Sequence, residues 1–172
     1  TYQERWGLSG AVISAVDLVK GAGKLAGLEV IEVPGATGYY DTNYEGKAKA
    51  ALKSLKKKDV AYVHVEAADE AGHNGDLRQK ITAIENFDRL VVGTILEHAH
   101  TLGPVRILVM PDHPTPVEKR AHSSDPVPFV IWGPGISASD AAGYGESVAK
   151  SSGWFVEEAH EILPDLLTKE TL

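Results

Sequence analysis

Apolar residues in this chain fall into short runs separated by polar stretches with helical spacing. Ala11-Val12-Ile13 is a compact apolar run and reads as a buried strand. Asp17 to Gly27 carries Leu18, Val19, Leu25 and Ala26 at mixed spacing, which predicts a helix weakened by Gly21 and Gly23. Leu28 to Val33 alternates apolar and acidic residues. That predicts a strand, near a sheet edge because it keeps two charges. Pro34 to Gly38 is a loop. Asn43 is placed to cap a helix over 44–58, with Ala48, Ala51, Leu52 and Leu55 on one face. Val60 to Val65 is the next strand. A long helix follows over 77–99, with Ile81, Ile84, Phe87, Leu90, Val91, Ile95 and Leu96 at helical spacing. Residues 105–110 and 128–132 are two further apolar strands. Residues 1–9 read as a polar lead-in and 133–152 as a mobile loop rich in Gly, Ser and Ala. Glu157 to Leu167 reads as a terminal helix, with Pro164 against its continuity.

Five short strands with helices between several of them predict an α/β fold with a mainly parallel sheet covered on both faces. Connections after parallel strands gather at one edge of the sheet. Two polar clusters, 66–76 and 111–125, each follow a strand, so they are expected to converge there. With 172 residues the chain is read as a single domain spanning 1–172.

Composition narrows the chemistry. A net charge of −7 argues against broad nucleic-acid binding, which needs a basic face. The lysines between Lys47 and Lys58 read better as a solvated helix face, favourable near a helix C-terminus, than as an anion patch. There is no cysteine, so disulfides, thiolate ligands and cysteine nucleophiles are excluded. Such a chain is compatible with a reducing cytoplasm. No apolar run approaches the ~18 residues of a membrane span. The start, TYQERWGLSG, lacks the basic-then-apolar pattern of a signal peptide. It also lacks an initiator Met, as a processed chain or part of a longer protein would.

The clusters offer metal donors. The first holds Asp69 and His73; the second holds Asp112, His113 and His122. Two carboxylates and three imidazoles are too many for one four-coordinate ion with an open position. They suit parts of two neighbouring sites, the usual device for handling a phosphoryl group. Taken singly, each is weaker: Asp112-His113 alone reads as a capping Asp and a surface His. His64, inside a strand, reads as a satisfied core or edge histidine. His98, His100 and His160 read as surface residues, and Glu66 and Glu70 as solvated or orienting groups. Ser123, Ser124 and Asp125 either orient His122 or form a turn before Pro126.

Asp69-x-x-x-His73, Pro-Asp112-His113-Pro-Thr-Pro and His122-Ser-Ser-Asp-Pro-Val-Pro together resemble the cofactor-independent phosphoglycerate mutases. The match is to the archaeal-type branch, in the alkaline phosphatase superfamily. The run GAVISAVDLVKGAGKLAGLEVIEVPGATGYYDTNYEGKAKAAL is similar to that branch as well, and the resemblance thins only at 133–172. It implies a three-layer α/β/α, alkaline-phosphatase-like domain, here incomplete. It also implies two divalent ions, commonly manganese, with magnesium, zinc or cobalt in some members. Asp69, His73 and His122 would hold one ion, and Asp112 and His113 would help hold the other. The implied reaction interconverts 3-phosphoglycerate and 2-phosphoglycerate through a phosphoserine intermediate, in the cytoplasm.

The nucleophilic serine, a further Asp ligand and the arginine-rich substrate-binding domain have no counterpart in this chain. No residue here is therefore assigned as catalytic. The 172 residues are expected to lack mutase activity alone, to fill one metal site or none, and to self-associate through an exposed sheet edge. Two other readings stay open. One is a phosphatase, sulfatase or phosphonate-processing enzyme on the same scaffold. The other is a stand-alone metal-binding or interaction module without catalysis.

Overall fold

The structure is a computed structural model and describes residues 1–168. The last four positions of the expected 1–172 domain lie outside the described residues. The chain separates into two compact units. The first comprises Thr1–Gly103 with Thr115–Ala121, and the second Pro104–Pro114 with His122–Leu172.

The first unit is built on a three-stranded parallel sheet. Strand β1, Gly10–Ile13, is buried along its whole length, as a central strand covered on both faces must be. It pairs with β2, Glu29–Val30, and with β3, Val60–Val63. The expected edge position of the acidic strand holds, although only two of its residues pair. Helix α2, Asp17–Leu25, lies on one face: a Cβ on its Gly23 would run into the Val12 side chain. Helix α3, Tyr44–Leu55, lies on the other, with Ala51 clustered against Ala11 and Ile13. Val12 points opposite to its two neighbours because strand side chains alternate. Helix, sheet, helix is therefore the layer order of this unit.

Asn43 caps α3 as expected, its side chain accepting from Gly46 N at 2.8 Å. Lys47, however, does not belong to a solvated face. It is 1% exposed, and its Nζ donates to His64 O at 3.0 Å. The first nine residues are not a plain lead-in either. They hold a short helix, α1, Tyr2–Trp6, started by a capping box between Thr1 and Glu4. The Thr-x-x-Glu pattern is its signal in the sequence.

After β3 the polar cluster is itself helical, as α4, Ala67–His73. The long helix over 77–99 is present in three pieces: α5, Leu77–Asn86, a π-helical turn, Phe87–Val92, and α6, Gly93–Ala99. The π turn shifts the buried face. Ala83, Val91 and Ala99 are buried, while Ile81 and Ile84 are about half exposed at 49% and 52%. Straight α-helical spacing put those isoleucines in the core, and the wider turn is why it fails there.

In the second unit β4, Ile107–Val109, and β5, Val130–Trp132, pair antiparallel as a separate two-stranded sheet. From sequence alone both are expected in one mainly parallel sheet. Without a helix between them nothing enforces the parallel crossover, and the loop returns the chain antiparallel. The expected loop over 133–152 contains a helix, α7, Glu146–Ser152. The terminal helix begins as a 3₁₀ turn, Ala159–Glu161, and continues as α8, Ile162–Thr168. Pro164 sits in the first turn of α8, where a missing N–H costs nothing.

Candidate metal centre

Helix α4 starts where β3 ends, so its side chains are presented at the carboxyl edge of the parallel sheet. Asp69 and His73 are one helical turn apart and therefore share a face. His73 Nε2 lies 3.3 Å from Asp69 Oδ2. The other ring nitrogen, Nδ1, meets the backbone carbonyl of Arg120 at 3.1 Å. A carbonyl can only accept, so Nδ1 carries the proton in this bond. Nε2 is the ring nitrogen turned toward the aspartate oxygen. Second-atom hydrogen bonding of this kind is the usual orientation of a metal-binding histidine.

Asp69 is held as firmly. Its Oδ1 accepts from the hydroxyl of Thr115, which is buried at 4% exposure. Lys80 Nζ donates to Thr115 O at 2.8 Å and to Ala68 O at 3.1 Å, tying this segment to α4. Glu66 and Glu70, read as solvated or orienting, flank the pair: Glu66, Asp69 and Glu70 offer carboxylate oxygens within 4.8 Å of one another. The buried Lys47 sits near this negative charge. Burial pushes its ammonium down to about 8, and the Glu66 carboxylate opposes that shift.

In the second unit, Asp112 and His113 stand just after β4. Asp112 Oδ1 accepts from His113 N at 3.0 Å, and its Oδ2 lies 3.4 Å from His113 Nε2. The His113 and His122 rings lie 3.7 Å apart between centroids, at 33°. Ser123 N donates to Pro114 O at 3.0 Å, closing the neck of the loop between them. Ser123 Oγ donates to Asp125 Oδ2 at 2.6 Å, so this pair behaves as a turn. Within each unit, then, the expected ligands are neighbours: Asp69 with His73, and Asp112 with His113 and His122. An open cleft of about 1370 Å³ borders Asp112 and His113 and is walled by aromatic residues such as Phe129, Trp132, Trp154 and Phe155.

The remaining histidines follow the bland expectation. His64 Nδ1 meets Ser14 Oγ at 3.1 Å. His98 and His100 bond backbone carbonyls of their own helix region through Nδ1, each at 2.9 Å. His160 is exposed beside Glu158. Thr115, Lys80, Lys47 and the Arg120 carbonyl did not stand out in the sequence. Thr115 lies between two prolines in a motif read for its Asp-His, and a backbone carbonyl leaves no sequence signal.

The donors are imidazole nitrogen and carboxylate oxygen, with no thiolate in the chain, which suits manganese, zinc or cobalt. The Asp69–His73 pair brings one donor of each kind to within 3.3 Å. Parallel sheet, strand-following helix and oriented Asp–His pair are an arrangement found among α/β metal-binding proteins. Over residues 1–169 the chain matches the family described as the Metalloenzyme superfamily, and it belongs to that superfamily. It is similar to a probable 2,3-bisphosphoglycerate-independent phosphoglycerate mutase of Geobacter sulfurreducens, with 51% identity over 98% of this chain and 43% of that protein. The 2,3-bisphosphoglycerate-independent phosphoglycerate mutase of Methanosarcina acetivorans is 54% identical over 89% of this chain and 39% of its own length. A solved structure of a Pyrococcus horikoshii protein superposes with a TM-score of 0.81 at 38% identity, over 88% of this chain and 45% of that one. The fold is thus of the alkaline-phosphatase-like α/β kind. The resemblance drawn from the motifs is met by these relatives, and the chain spans about two fifths of the length of the curated ones.

Proposed function

We propose that these residues are the metal-binding part of a phosphoglycerate mutase interconverting 3-phosphoglycerate and 2-phosphoglycerate through a phosphoserine. In this reading 1–172 acts as one domain within a longer cytoplasmic enzyme. Asp69, His73 and His122 hold one divalent ion, and Asp112 and His113 help hold a second. Manganese is the favoured metal. The ions supply Lewis acidity to the phosphoryl group and to the serine that attacks it. The chain's own part is positioning. Arg120 O keeps the proton of His73 on Nδ1, Thr115 holds one oxygen of Asp69, and Lys80 holds the segment that carries Thr115.

The observation that carries the reading is the Asp69–His73 pair, with Nε2 and Oδ2 3.3 Å apart and Nδ1 committed to a carbonyl. The naming of the relatives as mutases supports the substrate. The test is an assay of the longer enzyme with 3-phosphoglycerate and manganese, following both the isomer and free phosphate. Formation of 2-phosphoglycerate, lost on chelation and in the His73→Ala and Asp112→Ala variants, is the expected result. Free phosphate without the isomer would replace the mutase reading with a phosphatase one. The 172 residues alone should give neither product, since the nucleophile is expected elsewhere.

A further inference from the structure

Residues 115–121 form a strap that lies along α4 and reaches both Asp69 and His73. At one end the Thr115 hydroxyl donates to Asp69 Oδ1. At the other the Arg120 carbonyl accepts from His73 Nδ1. Between these, Lys119 N and Arg120 N both donate to Pro116 O, at 3.0 and 2.9 Å, so the strap is a closed turn with its own internal bonds. Arg120 adopts a left-handed backbone, φ 50°, rare for a residue with a side chain. That turn aims its carbonyl at the histidine.

Helix α4 is shaped to receive the strap. A Cβ on buried Gly72 would collide with the Thr115 carbonyl oxygen, and it would stand 2.9 Å from Thr115 Cγ2 and 3.0 Å from Lys80 Nζ. Gly75, at φ +71°, follows the helix, and a Cβ there would collide with the Arg120 guanidinium. Two glycines flanking His73 thus leave room for the two ends of the strap. A strap with only a packing role would need neither a buried hydroxyl on Oδ1 nor a carbonyl on Nδ1.

We propose that the strap is a positioning element for the metal, with Thr115 as its principal side chain. By occupying Oδ1, Thr115 fixes the Asp69 rotamer and leaves Oδ2 toward His73 Nε2. The strap so presets both donors before an ion arrives, and its loss weakens metal binding. This rests on Asp69 and His73 being ligands, as proposed above.

The experiment is manganese titration by calorimetry on the longer enzyme that contains this chain, comparing the wild type with Thr115→Val and Thr115→Ser. Melting of the metal-free proteins is measured alongside. Valine keeps the shape and removes the hydroxyl, so it should raise the manganese dissociation constant about tenfold or more. Serine should restore most of that loss. Lys80→Met, which keeps the hydroxyl but removes the ammonium that ties down the Thr115 carbonyl, should give a smaller loss in the same direction. If valine lowers the melting temperature too far to titrate, the Lys80→Met and serine results decide alone. Manganese affinity unchanged in both Thr115→Val and Lys80→Met would overturn the strap's role while leaving the ligands in place. A wild type that binds no manganese would instead remove the metal reading beneath it.

Discussion

At the scale of single residues the decisive atoms are polar ones whose partners fix their chemistry. His73 is the clearest case. Because Arg120 O can only accept, Nδ1 of the metal-free imidazole should carry a proton, and long-range nitrogen–proton NMR reads this directly. A spectrum with Nδ1 unprotonated would contradict the geometry. Lys47 gives a second expectation. Its folded value is pushed down to about 8 from an ordinary 10.5 by burial. Between those limits the unfolded chain binds the proton and the folded chain does not, so stability rises as pH climbs from about 8 toward 10.5. Below about 8 the folded protein carries the buried charge, softened by Glu66 and by the bond to His64 O. Urea unfolding across this range should show the rise in the wild type and its loss in Lys47→Met. Asp69, His73, Asp112, His113 and His122 stand out in the sequence as candidates because they cluster after strands, and the structure makes Asp69 a neighbour of His73 and Asp112 of His113. Lys47 does not stand out, because five further lysines between 49 and 58 set the pattern for a solvated face.

At the scale of elements, small residues decide which surfaces can touch. Gly72→Ala should push the strap from α4, since the added methyl meets the Thr115 carbonyl, a backbone atom with little freedom to move. Overpacking of this kind costs about 1–3 kcal/mol. The loss should appear both as a lower melting temperature and as weaker manganese binding. Gly23→Ala should cost stability of the same order by lifting α2 from Val12, yet leave manganese affinity unchanged, because the added methyl meets only the Val12 side chain. The two alanines therefore separate general packing from seating of the site, with calorimetric titration and thermal melts as the paired readouts. Glycines at such contacts carry no direction in a sequence. Gly21 and Gly23 read alike as helix-weakening, although Gly23 is buried against the sheet and Gly21 faces open space. The π turn was equally hidden, because Phe87 to Val92 has an unremarkable helical composition.

At the scale of the whole molecule, the parallel sheet of the first unit and its two helical layers were legible from alternating strands and helices. The antiparallel β4–β5 pair was not, since two apolar runs flanking a polar loop suit either direction. Much apolar surface remains open. Leu18 and Leu25 on α2 are 82% and 86% exposed, and Trp154 and Phe155 are 58% and 68% exposed. Strand β2 is a poor template for pairing, being two residues long with Glu29 bonded to Lys58 at 2.9 Å. Association of the 172-residue chain should therefore proceed through these apolar surfaces or the β3 edge. Sedimentation velocity over a dilution series should show a falling mean mass. A constant monomer would sink that expectation. Among the described residues no helix is long and apolar enough to cross a membrane.

The strap also bears on inheritance. Its residues, 115–121, belong with the first unit, although residues 104–114 of the second come before them in the chain. A gene rearrangement breaking after Gly103 would carry away the three-stranded parallel sheet together with Asp69 and His73. It would leave behind the hydroxyl and the carbonyl that set them. Residues 1–103 alone would therefore lack two of the partners that hold their own Asp69 and His73.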